Sequence, residues 1–231
     1  MANTSENAIK YAKSNKRLFI DIAIGNAVKT DKPIAIFMAG TPGAGKTEIA
    51  KSIIGLFSPT PARIDADDFR ELFDGYDGAN SSEFQGASAM MVDKVLEYIL
   101  GEKQSGPKYS FILDGTFAFK NAVMNIKRSL TRGFDVQIYF IYQSPIESWK
   151  FTKEREKKEG RSVPLEAFVN AYYASRENVA RVKAEFGKKV ALHVIVKDYQ
   201  KDTDEVHYNV DDLEKWLPKP YNRDELSRSL S

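Results

Sequence analysis

The segment that decides the fold of this chain is residues 33–47, which read PIAIFMAGTPGAGKT. The first seven residues form a short, continuous apolar run with β-branched side chains, which is typical of a strand buried on both faces in a parallel sheet. The run ends in a glycine-rich turn, and a helical pattern follows from Lys46 to about Leu56. A buried strand, a tight turn and a helix in succession predict an α/β fold.

The turn between this strand and this helix matches the pattern G-x-x-x-x-G-K-[ST], which binds phosphate. Its glycines let successive backbone N–H groups face phosphate oxygens, and the following helix adds about half a positive charge at its N-terminus. We expect Lys46 to reach the β- and γ-phosphates from the surface of the loop and the Thr47 hydroxyl to coordinate Mg²⁺. The pattern predicts that ATP, or alternatively GTP, is bound by Gly40, Thr41, Pro42, Gly43, Ala44, Gly45, Lys46 and Thr47.

Strand-like and helical segments alternate along the rest of the chain. Further strands are expected at residues 62–65, 109–114, 135–142 and 190–196, with a short edge strand at 205–210, and helical segments fill residues 68–102. Such alternation predicts the phosphate-loop NTPase fold, a mostly parallel central sheet of about five strands with helices on both faces, in three layers.

This pattern suggests one main domain with additions at both ends. We assign residues 1–32 to an N-terminal helical segment packed on the core and residues 33–217 to the phosphate-loop domain. Residues 218–231 are polar, and we expect them to form a loose C-terminal tail.

Acidic residues follow the second predicted strand, where ligands bind in sheets of this kind. A carboxylate at this position can face the γ-phosphate and take a proton from a hydroxyl acceptor. We favour Asp67 as this base, with Asp65 as the alternative. A structural interpretation also exists, in which Asp67 or Asp68 caps the next helix.

A second acidic strand end is Asp114, which is followed by Gly115 and Thr116. An acid at the end of an apolar strand is the usual setting for the group that holds the Mg²⁺ shell. Asp114 and Thr116 would alternatively bind hydroxyl groups of the acceptor. Both interpretations fit the sequence.

The segment at about residues 150–164 has the character of a lid. Nine of its twelve residues from 150 to 161 are charged, six of them basic. Gly160 separates Arg155 from Arg161 and provides a hinge. Because the planar guanidinium suits phosphoryl oxygens better than an ammonium does, we predict that both arginines bind phosphate and that the other charges form a solvated helix face.

Composition excludes several other classes of function. The chain has no cysteine and two histidines, which argues against disulfides, Cys-ligated zinc, thiol nucleophiles and multi-histidine metal sites. Its formal charge of +2 among 231 residues gives no support for nucleic-acid binding. No apolar run approaches the ~18 residues of a membrane span, and the polar N-terminus does not resemble a secretory signal. We therefore expect a cytoplasmic protein.

Together, these motifs resemble the zeta-toxin family of bacterial toxin–antitoxin systems, whose members are phosphate-loop kinases acting on UDP-N-acetylglucosamine-type substrates. The similarity spans roughly residues 33–198. It rests on the order and spacing of four pieces, which are residues 39–47 (AGTPGAGKT), 64–67 (IDAD), 114–116 (DGT), and 152–155 with 161–164 (TKER and RSVP).

The resemblance implies a function for each piece. Lys46 and Thr47 would bind ATP and Mg²⁺, Asp67 would be the catalytic base, and Arg155 and Arg161 would clamp the phosphates. The acceptor, a small molecule with a hydroxyl group and by resemblance a nucleotide sugar, would contact Asp65, Asp114 and Thr116. An antitoxin protein would be the partner.

The sequence departs from the family at the third piece. The family often has Glu where Asp114 stands and an arginine shortly after the Gly-Thr pair, whereas Phe117-Ala118-Phe119-Lys120 follows here. Two rival functions therefore stand beside UDP-N-acetylglucosamine phosphorylation. One is a kinase of another small acceptor, such as a nucleotide cofactor or an antibiotic, and the other is a nucleotide-dependent switch or ATPase without an acceptor.

Overall fold

The structure, a computed structural model, describes residues 4–101, 106–199 and 203–231. Strands β2, β3, β5, β6, β7 and β8 form one six-stranded sheet in the order β3-β5-β2-β6-β7-β8, and β1 and β4 form a separate two-stranded ribbon. The strands are β1 (Lys29–Thr30), β2 (Ile34–Ala39), β3 (Ala62–Asp65), β4 (Lys108–Tyr109), β5 (Phe111–Asp114), β6 (Asp135–Tyr142), β7 (Val190–Asp198) and β8 (Thr203–His207).

The α/β prediction is confirmed, because every pairing in the large sheet is parallel except that of β8 with β7. The edge strand expected near residues 205–210 is β8, which makes the sheet six-stranded rather than five-stranded.

The helices are α1 (Thr4–Ser14), α2 (Lys16–Ile24), α3 (Lys46–Gly55), α4 (Ala66–Arg70), α5 (Ser81–Leu100), α6 (Ala122–Thr131), α7 (Pro145–Glu159), α8 (Leu165–Phe186) and α9 (Arg223–Leu230).

Two apolar clusters lie on opposite faces of the sheet, because successive side chains of a strand point to opposite faces. Phe37 belongs to the larger cluster, which includes buried residues of α1, α2, α5, α6 and α8. Its neighbours Ile36 and Met38 belong to the smaller cluster, which includes Ala50 and Ile53 of α3. The sheet is therefore covered on both faces, with α3 and the turn before it on the face with the smaller cluster.

The strand register brings the two acidic strand ends together. Strands β3 and β5 are parallel neighbours, and Asp65 pairs directly with Asp114. Strand β2 lies next to β5, so the glycine-rich turn that follows β2 begins beside these two carboxylates. The sheet thus assembles three sequence motifs at one edge of the molecule.

Two expectations about the elements are wrong. Helix does not fill residues 68–102, because residues 71–80 form an irregular loop between α4 and α5. The C-terminal tail is not loose in the part from Arg223, which forms α9 with Leu226 and Leu230 buried. Asn222 caps this helix, since its side chain accepts hydrogen bonds from the backbone N–H groups of Asp224 and Glu225.

Candidate active site

The glycine-rich turn packs closely against α7. Gly43 has φ of +75°, and a Cβ built on it would lie 2.2 Å from the Ser148 carbonyl oxygen and 2.7 Å from the Thr152 hydroxyl oxygen. Both features require glycine at this position. The turn is therefore held in shape by the helix that carries the predicted lid.

Lys46 lies inside this turn and not on its surface, contrary to the expectation from sequence. Its side chain is buried, and its ammonium donates a hydrogen bond to the Thr41 carbonyl oxygen. Burial lowers the pKa of Lys46 from its usual 10.5 to about 8, while the carboxylates of Asp114 and Asp67 act to raise it. The curled backbone of the turn therefore encloses the ammonium of Lys46.

Asp65 caps α4, the role that the sequence suggested for Asp67 or Asp68. One of its carboxylate oxygens accepts the backbone N–H of Asp67 at 2.9 Å, and the other accepts a hydrogen bond from Arg63. Burial raises the pKa of Asp65 to about 7, and the nearby carboxylates of Asp67 and Asp114 add to this rise. Both oxygens of this buried carboxylate are therefore engaged with the protein.

Arg63 links the acids at the two strand ends. Its guanidinium contacts Asp65, Asp68 at 2.5 Å and Asp114 at 3.2 Å. The sequence showed no arginine after Thr116, and the structure supplies one beside Asp114 from the neighbouring strand. Three carboxylates thus share one guanidinium, which leaves this corner of the site with excess negative charge.

Asp67 is contacted by three arginines and remains about one-third exposed. Arg70, three residues later on α4, pairs with one carboxylate oxygen. Arg161 pairs with the other oxygen, and Arg155 lies 3.6 Å from it. The lid arginines and the predicted base are therefore in direct contact, although they are about ninety residues apart in sequence.

The segment predicted as a lid comprises the end of α7 and the residues that follow it. Gly160 ends the helix with a left-handed conformation, which is common for a glycine at the C-terminal end of a helix. The preceding turn packs on the 71–80 loop, where a Cβ on Gly78 would lie 2.5 Å from the Glu159 carbonyl oxygen. Close backbone contact between two loops thus brings Arg161 to Asp67.

A cavity of about 380 Å³ opens between the lid and the 71–80 loop. Asp67, Arg155 and Arg161 contribute to its wall. The 71–80 loop supplies the opposite wall with Glu71, Tyr76, Asp77 and Gly78. A small molecule in this cavity would lie against the Asp67 carboxylate.

Thr116 lies on the loop after β5, beside the start of the glycine-rich turn. Its carbonyl oxygen accepts the backbone N–H of Gly40 at 3.2 Å. The next residue, Phe117, is buried with φ of +59°, a strained conformation for a bulky side chain. Asn178 of α8 donates to the Phe117 carbonyl oxygen at 2.9 Å and so secures the loop.

The groups expected to hold Mg²⁺ have suitable chemistry. Magnesium prefers oxygen ligands, and the site offers the Asp114 carboxylate and the Thr47 hydroxyl at the start of α3. The crowding of Asp65, Asp67 and Asp114, seen in the raised pKa of Asp65, also favours an added cation. No group of three or more His, Asp or Glu side chains within residues 4–101, 106–199 and 203–231 forms a metal cage by itself.

The structure brings most of the predicted site residues together. Asp67, Arg155 and Arg161 share the cavity, and the pKa of Lys46 responds to Asp67, Asp114 and Arg155. Sequence reasoning missed Arg63, Arg70 and the 71–80 loop. The sequence could have indicated Arg70, because residues three apart on a helix are neighbours and Arg70 comes three residues after Asp67. It could not have indicated Arg63 or the loop, since their roles depend on contacts across the sheet.

A family model described as zeta toxin matches residues 22–212. No curated protein matches the chain. None of the helices within the described ranges is both long enough and apolar enough to cross a membrane.

Solved structures share the fold at low sequence identity. The PezAT toxin–antitoxin structure from Streptococcus pneumoniae matches with a TM-score of 0.59 and 15% identity, covering 100% of this chain and 94% of that one. A native AvrRxo1-ORF1:-ORF2 complex matches with a TM-score of 0.69 and 16% identity over 90% of this chain and 70% of that one. The same complex with ATP gives a TM-score of 0.63 and 16% identity, covering 95% of this chain and 74% of that one.

Proposed function

The chain belongs to the zeta-toxin family, a family of kinase-type phosphotransferases, and we propose that it transfers the γ-phosphate of ATP to a hydroxyl group of UDP-N-acetylglucosamine. One observation carries the proposal. The Asp67 carboxylate faces a cavity of about 380 Å³ and is contacted by both lid arginines. It also lies close enough to the buried Lys46 to act on its pKa.

In the proposed reaction, the glycine-rich turn binds the phosphates through its backbone N–H groups and the N-terminus of α3. The charged Lys46 leaves the Thr41 carbonyl oxygen for the phosphate oxygens, since a polyanion stabilises the ammonium better than a single carbonyl does. These groups orient the γ-phosphate toward the cavity. Positioning and charge stabilisation supply most of the catalysis in reactions of this kind.

The chemical step needs the Asp67 oxygen that contacts Arg155 and Arg161 to be free of these two arginines. Arg155 and Arg161 would shift from the carboxylate to the transferring phosphoryl group, whose oxygens carry the same type of charge. The acceptor hydroxyl attacks the γ-phosphorus and forms a new P–O bond, while the bond to the β-phosphate oxygen breaks. The acceptor proton passes to Asp67, and ADP leaves with the released electron pair. Arg70 stays on the other oxygen and keeps the carboxylate in place.

Asp67 suits the role of base better than Asp65 does. The side chain of Asp65 is nearly fully buried, and its carboxylate caps α4. Asp67 lines the cavity and is about one-third exposed. A base must reach the acceptor hydroxyl directly, so exposure to the cavity favours Asp67.

We propose that Thr47 and Asp114 hold Mg²⁺ beside the phosphates. The ion would neutralise charge on the β- and γ-phosphate oxygens when it is bound. In the alternative assignment, Asp114 would bind a hydroxyl group of the acceptor instead of Mg²⁺, together with Thr116 after β5 and Asp65 at the end of β3. GTP is an alternative phosphate donor, because the turn contacts phosphates rather than the base.

The biological role that we propose is that of a toxin restrained by an antitoxin protein. Family membership supports this role. Among the similar structures, PezAT is described as a toxin–antitoxin system, and AvrRxo1-ORF1:-ORF2 is described as a complex. A kinase that consumes ATP acts where ATP is abundant, so we propose the cytoplasm as its compartment.

The acceptor is tested by incubating the protein with ATP and UDP-N-acetylglucosamine and measuring masses. The expected result is an acceptor that gains one phosphoryl group, with an equal amount of ADP formed. UDP alone serves as the matched control and should gain none. If UDP-N-acetylglucosamine is unchanged while another compound of a bacterial metabolite extract is phosphorylated, the proposed acceptor is wrong and the proposed kinase activity is supported.

A further inference from the structure

Lys197 lies over the glycine-rich turn, although it is distant from that turn in sequence. It is partly buried near the carboxyl end of β7. A Cβ built on Gly45 would lie 3.1 Å from the Lys197 ammonium nitrogen and 3.4 Å from its Cδ. Gly45 is the N-cap residue of α3, so a second lysine besides Lys46 reaches the start of this helix.

This position is electrostatically unfavourable for a second cation. The N-terminus of a helix carries about half a positive charge, and Lys46 adds another. In the part of the chain that the structure describes, the Lys197 ammonium makes no hydrogen bond and no ion pair within 4 Å. Glu48 is the acid seen nearby, with a carboxylate oxygen 3.7 Å from the same built Cβ. The arrangement is suited to an anion bound between these positive groups.

We propose that Lys197 binds the phosphates of the nucleotide from the side of the turn opposite to the acceptor cavity. The inference rests on the proposed function, because it takes ATP as the ligand of the turn. Lys197 does not line the cavity that contains Asp67, Arg155 and Arg161. Its ammonium therefore contributes to binding of the nucleotide and not of the acceptor.

A structural role would lead to a different result. If the Lys197 stem only covered Gly45, a side chain of similar length without charge would serve equally well. If the ammonium binds phosphate, the charge is essential, and its contribution falls as ionic strength rises because salt screens the attraction. Lys197→Met keeps most of the stem and removes the charge, while Lys197→Arg keeps the charge.

The experiment measures the dissociation constants of ATP and ADP by calorimetry for the wild type, both Lys197 variants and Lys188→Met. Lys188 is an exposed lysine just before β7 and provides the matched control. We expect Lys197→Met to weaken binding of both nucleotides by about tenfold at low salt, the value for one hydrogen bond to a charged group. Lys197→Arg and Lys188→Met should bind both nucleotides within about twofold of the wild type, and Lys188→Met should keep the kcat of the wild type.

Each outcome distinguishes the inference from the proposed function. If Lys197→Met binds ATP as tightly as the wild type, the inference is overturned and the kinase proposal stands. A tenfold loss that does not shrink as salt is raised also overturns it, since the effect is then not electrostatic. If the wild type binds no nucleotide, the proposed function fails and the inference fails with it. The melting temperature without nucleotide should be no lower for Lys197→Met than for the wild type, which excludes a loss of folded protein.

Discussion

The buried ammonium of Lys46 leads to a prediction about stability as well as activity. Replacing it with methionine, which is similar in length and uncharged, should abolish phosphoryl transfer. The same change should relieve an electrostatic cost in the nucleotide-free protein. A pKa that falls from 10.5 to about 8 means that holding the charge in the folded state costs about 3 kcal/mol, at 1.36 kcal/mol per pH unit.

The sign of the pH dependence follows from the direction of this shift. The unfolded chain keeps the Lys46 proton up to about pH 10.5, whereas the folded protein releases it near pH 8. Between these values the unfolded state binds more protons, so the folded wild type gains stability as the pH rises. Below pH 8 both states are protonated, and the cost is constant. The lost hydrogen bond to Thr41 affects the variant equally at every pH.

The assay is urea unfolding of the wild type and Lys46→Met from pH 7 to pH 9.5. The free energy of unfolding of the wild type should rise relative to the variant by about 2 kcal/mol between pH 8 and pH 9.5, with little change below pH 8. Saturating ATP should remove this dependence in the wild type, because bound phosphates stabilise the charged form. Lys188→Met, at an exposed position, should follow the wild type. A constant difference between wild type and Lys46→Met over the whole range would refute the burial of the Lys46 ammonium.

Two further predictions concern the lid and the glycine-rich turn. Arg161→Lys should lower kcat by about 10³-fold while the KM for ATP changes little, because a point charge cannot bridge two phosphoryl oxygens. Lys158→Ala, at an exposed lysine of the same segment, should keep kcat within about twofold of the wild type. Equal small losses of kcat at both positions in steady-state kinetics would contradict the lid. Gly43→Ala should destabilise the protein by at least about 1 kcal/mol in thermal unfolding and prevent ATP binding, because its Cβ would meet the Ser148 carbonyl oxygen. Gly55→Ala, where no atom lies within 4 Å of the added Cβ, should be neutral or stabilising, and a Gly43→Ala protein as stable as this control would show that the turn does not pack on α7.

The parts of the fold that local pattern encodes could be predicted from the sequence. The apolar run before Gly40 specifies a buried strand, and strands that end in Asp65 and Asp114 must place those acids at one edge of a parallel sheet. Charged residues beside Gly160 after the fourth strand also predict a lid whose arginines share a phosphate site with Asp67. The direct contact between Arg161 and Asp67 is not predicted, because it joins segments 94 residues apart.

The remaining features depend on contacts between distant segments. Nothing in the sequence around Lys46 shows that the loop would enclose its ammonium, because that requires α7 to pack on Gly43. The choice of Asp65 as the cap of α4 depends on where β3 ends, and element boundaries are the least certain part of a sequence-based assignment. Helix α9 has a mostly polar sequence, and its position is fixed by burial of Leu226 and Leu230.

The central claim is that Asp67 accepts the proton of a hydroxyl acceptor while the turn holds ATP, and one set of measurements tests it directly. ATP affinity and acceptor-dependent phosphoryl transfer are measured for the wild type, Asp67→Asn and Asp65→Asn with the acceptor identified by mass. We predict that Asp67→Asn binds ATP as tightly as the wild type and loses about 10²–10⁴-fold in kcat. Asp65→Asn should retain turnover, because an Asn side chain can still cap α4. Near-normal turnover by Asp67→Asn, or ATP hydrolysis by the wild type that does not depend on any acceptor, would contradict the account.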